Sequence, residues 1–240
     1  MTPIATATNR AGRPIPVGRD PRAIAMAPDG RTAYVLNWLG ATVTPIATLT
    51  NRPGRPIRVG PFPVAAAFGP GARTLYAASF GADSVTPIDT ATGRPGRPLP
   101  AGYAPDAVAA TSGGVYAVDG NADEITRLGT GVATQVGYSP DAIAVDGTTG
   151  YVVNTIDGTV TPVDVRTGKA ARPLNVGAYS YPTVITITGQ TAVVIEPYGY
   201  TVVEITSRPA TFPTRPRSVR SRRPSRSPPE REDESRSRLT

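Results

Sequence analysis

The sequence contains no cysteine and no histidine. Without cysteine there is no disulfide, no thiolate nucleophile and no cysteinyl metal site. Without histidine the commonest general base and the commonest metal ligand are gone together. A Ser-His-Asp triad therefore cannot be assembled. Lysine occurs once, at Lys169, so nearly all positive charge is arginine. No apolar run of about 18 residues or more is present, so nothing reads as a membrane-spanning helix. The opening Met1-Thr2-Pro3-Ile4 lacks the charged and apolar regions of a secretory leader. No glycine-rich phosphate loop between a strand and a helix and no covalent cofactor attachment site is found, and no metal or cofactor is expected. Helical apolar periodicity is not sustained over three turns anywhere.

Turn formers are abundant instead. Gly (25) and Pro (27) together exceed a fifth of the 240 residues. That level favours short elements broken by frequent turns. The net charge of +7 is unevenly placed. Residues 1–207 hold 15 basic and 14 acidic side chains, whereas residues 208–240 hold 10 arginines and 4 acids. The sequence pI near 10.0 thus describes a tail rather than the body of the protein.

Internal repetition decides the fold class. Residues 44–60 nearly duplicate residues 2–18, and residues 86–102 repeat them more loosely. A weaker copy begins at Thr161-Pro162-Val163. The closing glycines are Gly18, Gly60, Gly102, Gly137 and Gly177, at spacings of 42, 42, 35 and 40. A second landmark keeps the same beat: Tyr34-Val-Leu-Asn37, Tyr76-Ala-Ala-Ser79, Tyr116-Ala-Val-Asp119 and Tyr151-Val-Val-Asn154, with a degenerate copy ending at Glu196.

Each unit divides into four short strands. In the first whole unit these are predicted at residues 23–27, 32–36, 42–47 and 56–59. Pro28-Asp29-Gly30 makes the first turn, since Asp and Gly accept the positive φ of tight hairpins. Four strands in about 40 residues is one propeller blade. A lone blade leaves both faces bare, and blades stacked about an axis cover one another. The expected fold is all-β: a β-propeller of about five blades. Four are whole (19–60, 61–102, 103–137, 138–177), and a composite or incomplete one is built from residues 2–18 and 178–206. The propeller domain is placed at 1–207. Either its ring closes imperfectly, leaving an exposed edge, or the chain is a piece of a longer propeller.

The pattern Val17-Gly18, Pro21, apolar residues 24–27, Pro28-Asp29-Gly30, Tyr34-Val35-Leu36-Asn37 resembles the YVTN-type β-propeller repeat. So do residues 85–93, Val-Thr-Pro-Ile-Asp-Thr-Ala-Thr-Gly, and Tyr151-Val152-Val153-Asn154. The resemblance covers residues 2–206. It implies about seven blades in complete members and a bacterial cell-surface or extracytoplasmic location. The chain shows no leader, which leaves a cytoplasmic location open. Related folds include lactonases and quinoprotein-like dehydrogenases, and fold likeness of that kind assigns no activity.

From residue 208 the pattern stops and Arg, Ser and Pro dominate. Residues 208–240 are expected to be disordered, because so few apolar side chains cannot offset the ordering entropy. An Arg-rich arm of this kind either touches nucleic acid or another anionic surface, or is simply solvated, the type of stretch that a shifted frame in GC-rich DNA also yields. Without interleaved aromatics after Phe212, nucleic acid is not an expected partner of the body.

Two constellations are candidates for chemistry. Asp20, Asp106 and Asp141 stand beside a proline at the start of blades, whereas the second unit reads Phe62-Pro63-Val64 with no acid there. With Glu196 they suit a lactonase-like hydrolase using Ca²⁺ or Mg²⁺, or else they cap turns. The polar landmarks Asn37, Ser79, Asp119, Asn154 and Glu196 either line a ligand site on the loop-bearing rim or tie down the following loop. Residues that break the repeat are better binding candidates. Trp38, the only tryptophan, and Phe80 one blade on follow the landmark and suit partner anchoring. Tyr179, Tyr181, Tyr198 and Tyr200 add an aromatic cluster in the last unit. The expectation is a non-enzymatic scaffold that binds a protein, glycan or small ligand through Trp38, Phe80, Asn37, Asp119, Asn154 and Glu196, with the metal-assisted hydrolase as the alternative.

Overall fold

The computed structural model describes residues 1–177, 182–188, 191–196 and 201–206, with the side chains of Glu196, Thr201 and Thr206 outside that description. The tyrosine cluster at 179–200 and the tail expected to be disordered also lie outside the described residues.

Two short strands come first, β1 (Ile4–Ala5) and β2 (Arg10–Ala11), and they form a separate sheet. Blade one follows as β3 (Pro21–Met26), β4 (Thr32–Asn37), β5 (Thr42–Ala47) and an outer strand in two pieces, β6 (Arg52–Pro53) and β7 (Ile57–Arg58). Blade two repeats this with β8 (Pro63–Phe68), β9 (Thr74–Ser79), β10 (Ser84–Asp89), β11 (Arg94–Pro95) and β12 (Leu99–Pro100). Blade three has β13 (Pro105–Thr111), β14 (Gly114–Asp119), β15 (Glu124–Arg127) and an unbroken outer β16 (Val132–Gln135). Blade four has β17 (Pro140–Asp146), β18 (Thr149–Asn154), β19 (Thr159–Asp164), β20 (Lys169–Ala170) and β21 (Leu174–Asn175). The last sheet has β22 (Val184–Thr188), β23 (Thr191–Glu196) and β24 (Thr201–Thr206). Every pairing is antiparallel, and the inner strands pack side by side in chain order: β3, β8, β13, β17, β22.

One expectation needs correction in detail, and one pair of alternatives is decided. The outer strand was predicted only at residues 56–59, but pairing with β5 already begins at Arg52. It breaks at Gly54 because Pro53 and Pro56 have no N–H for the ladder. Gly54 N–H turns instead to the Pro45 carbonyl at 2.7 Å. Blade three lacks these prolines, and its outer strand is continuous. The chain ends do not combine into one blade either. Neither β1 nor β2 joins the β22–β24 sheet, so the fifth blade is incomplete rather than composite among the described residues.

Strand alternation explains why the blades stack. In β4, Tyr34 and Leu36 face blade two and meet Leu75, Ala77 and Ile88. Ala33 and Val35 point the other way, onto Ile15 from the N-terminal segment. Tyr116 and Val118 likewise meet Val152 and Val163 of blade four. Each blade is thus buried on both faces, and its second strand reads as near-continuous apolar sequence. The arc's two flanks differ from this. Ile24 and Met26 on β3 are 56% and 54% exposed, and Val184 on β22 is 47% exposed. No packing comparable to that between neighbouring inner strands joins β22 to β3 among the described residues.

Candidate functional site

The site grows from one repeated turn. Asp20, Phe62, Ala104 and Ser139, each just before a proline, hold φ of 52°, 55°, 52° and 53°. This left-handed conformation costs a non-glycine residue on the order of 1 kcal/mol. Hydrogen bonds from the neighbouring loop hold it in place. Trp38 N–H donates to the Asp20 carbonyl at 2.8 Å, Phe80 N–H to the Phe62 carbonyl at 3.0 Å, and Thr155 N–H to the Ser139 carbonyl at 2.9 Å. Between blades, Asp83 accepts from Ala104 N–H and Asp123 from Ser139 N–H, at 2.8 and 2.9 Å.

Just after the proline the ladder slips by one residue in every whole blade, making a β-bulge. Bulges re-aim a side chain out of the regular sheet. The residues so presented are Arg22, Val64, Asp106 and Asp141. This corrects the sequence grouping of Asp20 with Asp106 and Asp141. Asp20 belongs to the left-handed position, one side of the proline, and Asp106 and Asp141 to the bulge on the other. The bulge residue of blade one is a cation. Asp20 itself accepts from Arg22 Nε at 3.1 Å.

The same rim brings the aromatic breaks of the repeat together. Trp38 stacks on Phe62 with ring centroids 4.9 Å apart and a 27° tilt, and Phe80 lies 6.0 Å from Trp38. The Arg22 guanidinium carbon sits over the Trp38 ring. Phe62 is 37% exposed, and Leu39, Tyr103, Tyr138 and Ile156 on the same loops are more so. Phe62 and Arg22 were not picked out from sequence as binding residues. The contact of Phe62 with Trp38 joins two blades, and only the substitution of Phe62 where another blade carries Asp20 hinted at it.

The polar landmarks occupy a different layer. Asn37, Ser79, Asp119 and Asn154 are all fully buried. Asn37 Nδ2 donates to the Thr42 carbonyl and the Thr42 and Thr44 hydroxyls, and Asn154 Nδ2 donates to the Thr159 and Thr161 hydroxyls. Asp119 accepts from the Thr126 hydroxyl at 2.7 Å, while its other carboxyl oxygen has no partner among the described residues. Each landmark also touches the closing glycine of the preceding unit. A Cβ on Gly18 or Gly137 would lie 2.6 or 2.7 Å from the Asn37 or Asn154 amide carbon, and one on Gly60 would lie 2.7 Å from Ser79 Cβ. Gly102 stands in the same way against Asp119. The two sequence landmarks are therefore one contact, repeated four times. Glu196's side chain is outside the described residues.

Three carboxyl groups are displaced upward from their usual range. Burial and then the nearby Asp141 charge push Asp106 up to about 6, against the pull of Gly120 N–H. Burial raises Asp141 as well. Burial pushes Asp119 up to about 7, opposed by the Thr126 hydroxyl. Among the described residues no cluster of three or more acidic side chains is placed to hold a metal ion, and no helix is long and apolar enough to cross a membrane.

No protein-family model matches the chain, and no curated protein matches its sequence. Its backbone is similar to several solved structures. Hydrazine synthase from Kuenenia stuttgartiensis shares 20% identity with a TM-score of 0.62, over 74% of this chain and 55% of that one. A catalytically inactive virginiamycin B lyase from Staphylococcus aureus, solved with quinupristin, shares 15% identity with a TM-score of 0.64, over 78% of this chain and 66% of that one. The Swd1 β-propeller domain of Myceliophteria thermophila shares 16% identity with a TM-score of 0.59, over 75% of this chain and 63% of that one. The chain spans about half to two thirds of these chains. Radial stacking of antiparallel blades and these likenesses agree: the protein is an all-β chain with the β-propeller fold.

Proposed function

We propose that the protein is a non-enzymatic propeller scaffold of the YVTN repeat type that binds a ligand on its loop-bearing rim. The carrying observation is the aromatic ledge of Trp38, Phe62 and Phe80, capped by Arg22. Phe62 is exposed and Trp38 and Phe80 are half-buried beside it, and aromatics held on a rigid scaffold anchor partners because they bury large area at low entropic cost. The ligand class is a protein, glycan or small molecule with a flat apolar or sugar face. Trp38 and Phe80 make contact in this reading. Asn37, Asp119 and Asn154, buried beneath, position the loops that carry them. The propeller occupies residues 1–207 with 208–240 as a separate tail, and an extracytoplasmic or surface location follows from the repeat type.

The sole tryptophan is its own reporter. Titration of the full chain with oligosaccharide and peptide panels, followed by Trp38 emission, should give a saturable shift. In Phe80→Ala the affinity should fall about tenfold, the loss of one well-packed aromatic contact. Ligands whose affinity ignores both Phe80→Ala and Trp38→Ala would refute the rim as the site.

The metal-assisted hydrolase has one supporting observation, the paired Asp106 and Asp141. Against it, Arg22 holds the matching position in blade one. Lactone hydrolysis supported by Ca²⁺ or Mg²⁺ and abolished in Asp106→Asn would revive it.

A further inference from the structure

A second feature lies away from the rim ledge, on the outer edge between blades one and two. A cleft of about 810 Å³ opens there, lined by Arg52, Arg55, Arg58 and Arg94 together with Tyr34 and Thr92. No carboxylate lines it. None of the four arginines has a salt bridge among the described residues. The nearest acids are already engaged: Asp89 accepts from the Thr92 N–H and hydroxyl, and Asp29 from Arg31 N–H.

The arrangement is built by the repeat. Gly54 and Gly96 press on Pro45 and Pro87, where an added Cβ would come within 3.0 and 3.1 Å of the ring. Their N–H groups donate to the Pro45 and Pro87 carbonyls at 2.7 Å. So close an approach needs glycine, and it leaves the flanking Arg52 and Arg55, and Arg94 and Arg97, exposed on the outer edge. Arg10 and Arg13 repeat the pair on the N-terminal segment, around Gly12. Arg52 pairs with Ala47 and Arg58 with Thr42, so the charged wall runs along about five strand residues, roughly 17 Å.

Tyr34 offers a neutral hydroxyl at the cleft wall. It is 4% exposed and lines the cleft, yet its hydroxyl has no hydrogen-bond partner among the described residues. In blade three the matching Tyr116 hydroxyl donates across the joint to the Val165 carbonyl. Burial and the Asp29 and Asp89 charges raise the Tyr34 pKa, so the hydroxyl remains a donor.

From this geometry we infer that the cleft binds an elongated oligoanion, a small molecule carrying several phosphoryl or sulfuryl groups. Guanidinium forks match the paired oxygens of such groups, and Tyr34 and Thr92 add neutral donors. Proline rings on the walls leave room for a compact apolar body between charges. The volume falls within the range of small-molecule sites.

The test uses the full chain and calorimetric titration with two probes, tripolyphosphate and a heparin-derived tetrasaccharide. The tighter of the two identifies phosphate or sulfated sugar as the source. Arg52→Gln with Arg55→Gln should weaken it at least about tenfold, the loss of charge-assisted hydrogen bonds. Tyr34→Phe should weaken it a few-fold, while thermal melting confirms that both variants stay folded. The arginine-rich tail is a competing anion binder, so Arg222→Gln with Arg223→Gln is the control and should leave affinity within about twofold. The inference is overturned if neither probe saturates, if the cleft pair leaves affinity unchanged, or if the tail pair costs as much as the cleft pair.

Discussion

The Arg22 guanidinium carbon lies 4.4 Å from the centroid of the Trp38 ring. A cation so placed contributes about 0.5–1 kcal/mol at an exposed site, and the Asp20 pair beside it adds little because both partners are solvated. Arg22→Ala should therefore shift Trp38 emission and increase acrylamide quenching while lowering Tm by only a few degrees. An unchanged emission spectrum would mean that the cation does not sit on the ring in solution.

Asp119 should make stability fall as pH rises from about 4 to about 7. Its folded pKa, about 7 through burial, exceeds the unfolded value of about 3.9. Its contribution is fully present below the unfolded pKa and is lost as pH rises through the folded one. The matching residues in blades one and four are Asn37 and Asn154, whose amides fill the same slot without titrating. Asp119→Asn should flatten the decline between pH 4 and pH 7 and stabilise the protein at pH 8 by on the order of a few kcal/mol. Parallel urea melts of both proteins across pH would show the two curves converging at low pH. Curves that stay parallel would contradict the assignment.

Asp106 and Asp141 repel each other across the joint between blades three and four. Removing one charge should ease ionisation of the other. In Asp141→Asn the Asp106 carboxyl, now at about 6, should titrate lower but stay above an ordinary aspartate, because burial is its larger cause. Carbon-detected NMR titration of the side-chain carboxyl reads this directly.

Gly60→Ala should be costly. The new methyl would meet the Ala82 and Ser79 Cβ atoms at 2.7 Å, with no flexible side-chain end to give way. Overpacking of this sort typically costs about 1–3 kcal/mol. Gly71, with open space around it but φ of 73°, is the contrast: there an alanine is strained by backbone alone, at about 1 kcal/mol. Comparing the two variants by chemical denaturation separates contact from conformation.

Leu75 and Ile24 test the joints. Leu75 is fully buried between blades one and two, and Leu75→Ala should lose about 2–5 kcal/mol. Ile24 stands 56% exposed on the free flank of β3, and Ile24→Ala should cost under about 1 kcal/mol. Equal losses in urea melts would mean that the flank is covered in solution.

The blades were legible because two-residue alternation, turn chemistry and the forty-residue beat all agree. Trp38 and Phe80 were legible as departures from that beat. What the sequence could not show depends on register between chain segments. Asp20 precedes its proline and Asp106 follows its own, but only the bulge reveals that they aim differently. Phe62 meets Trp38 across a blade boundary, and no local period carries that contact. Arg52 joins β6 because a proline-broken strand still pairs on either side of the break.

The left-handed turn before each blade accepts Asp20, Phe62, Ala104 and Ser139 alike, at nearly the same φ. An acid, an aromatic ring, a methyl and a hydroxyl are interchangeable there as far as the backbone is concerned. Ala104 is buried, but Asp20, Phe62 and Ser139 reach solvent, so new ligand preferences can be written singly at these three addresses without disturbing the stack beneath.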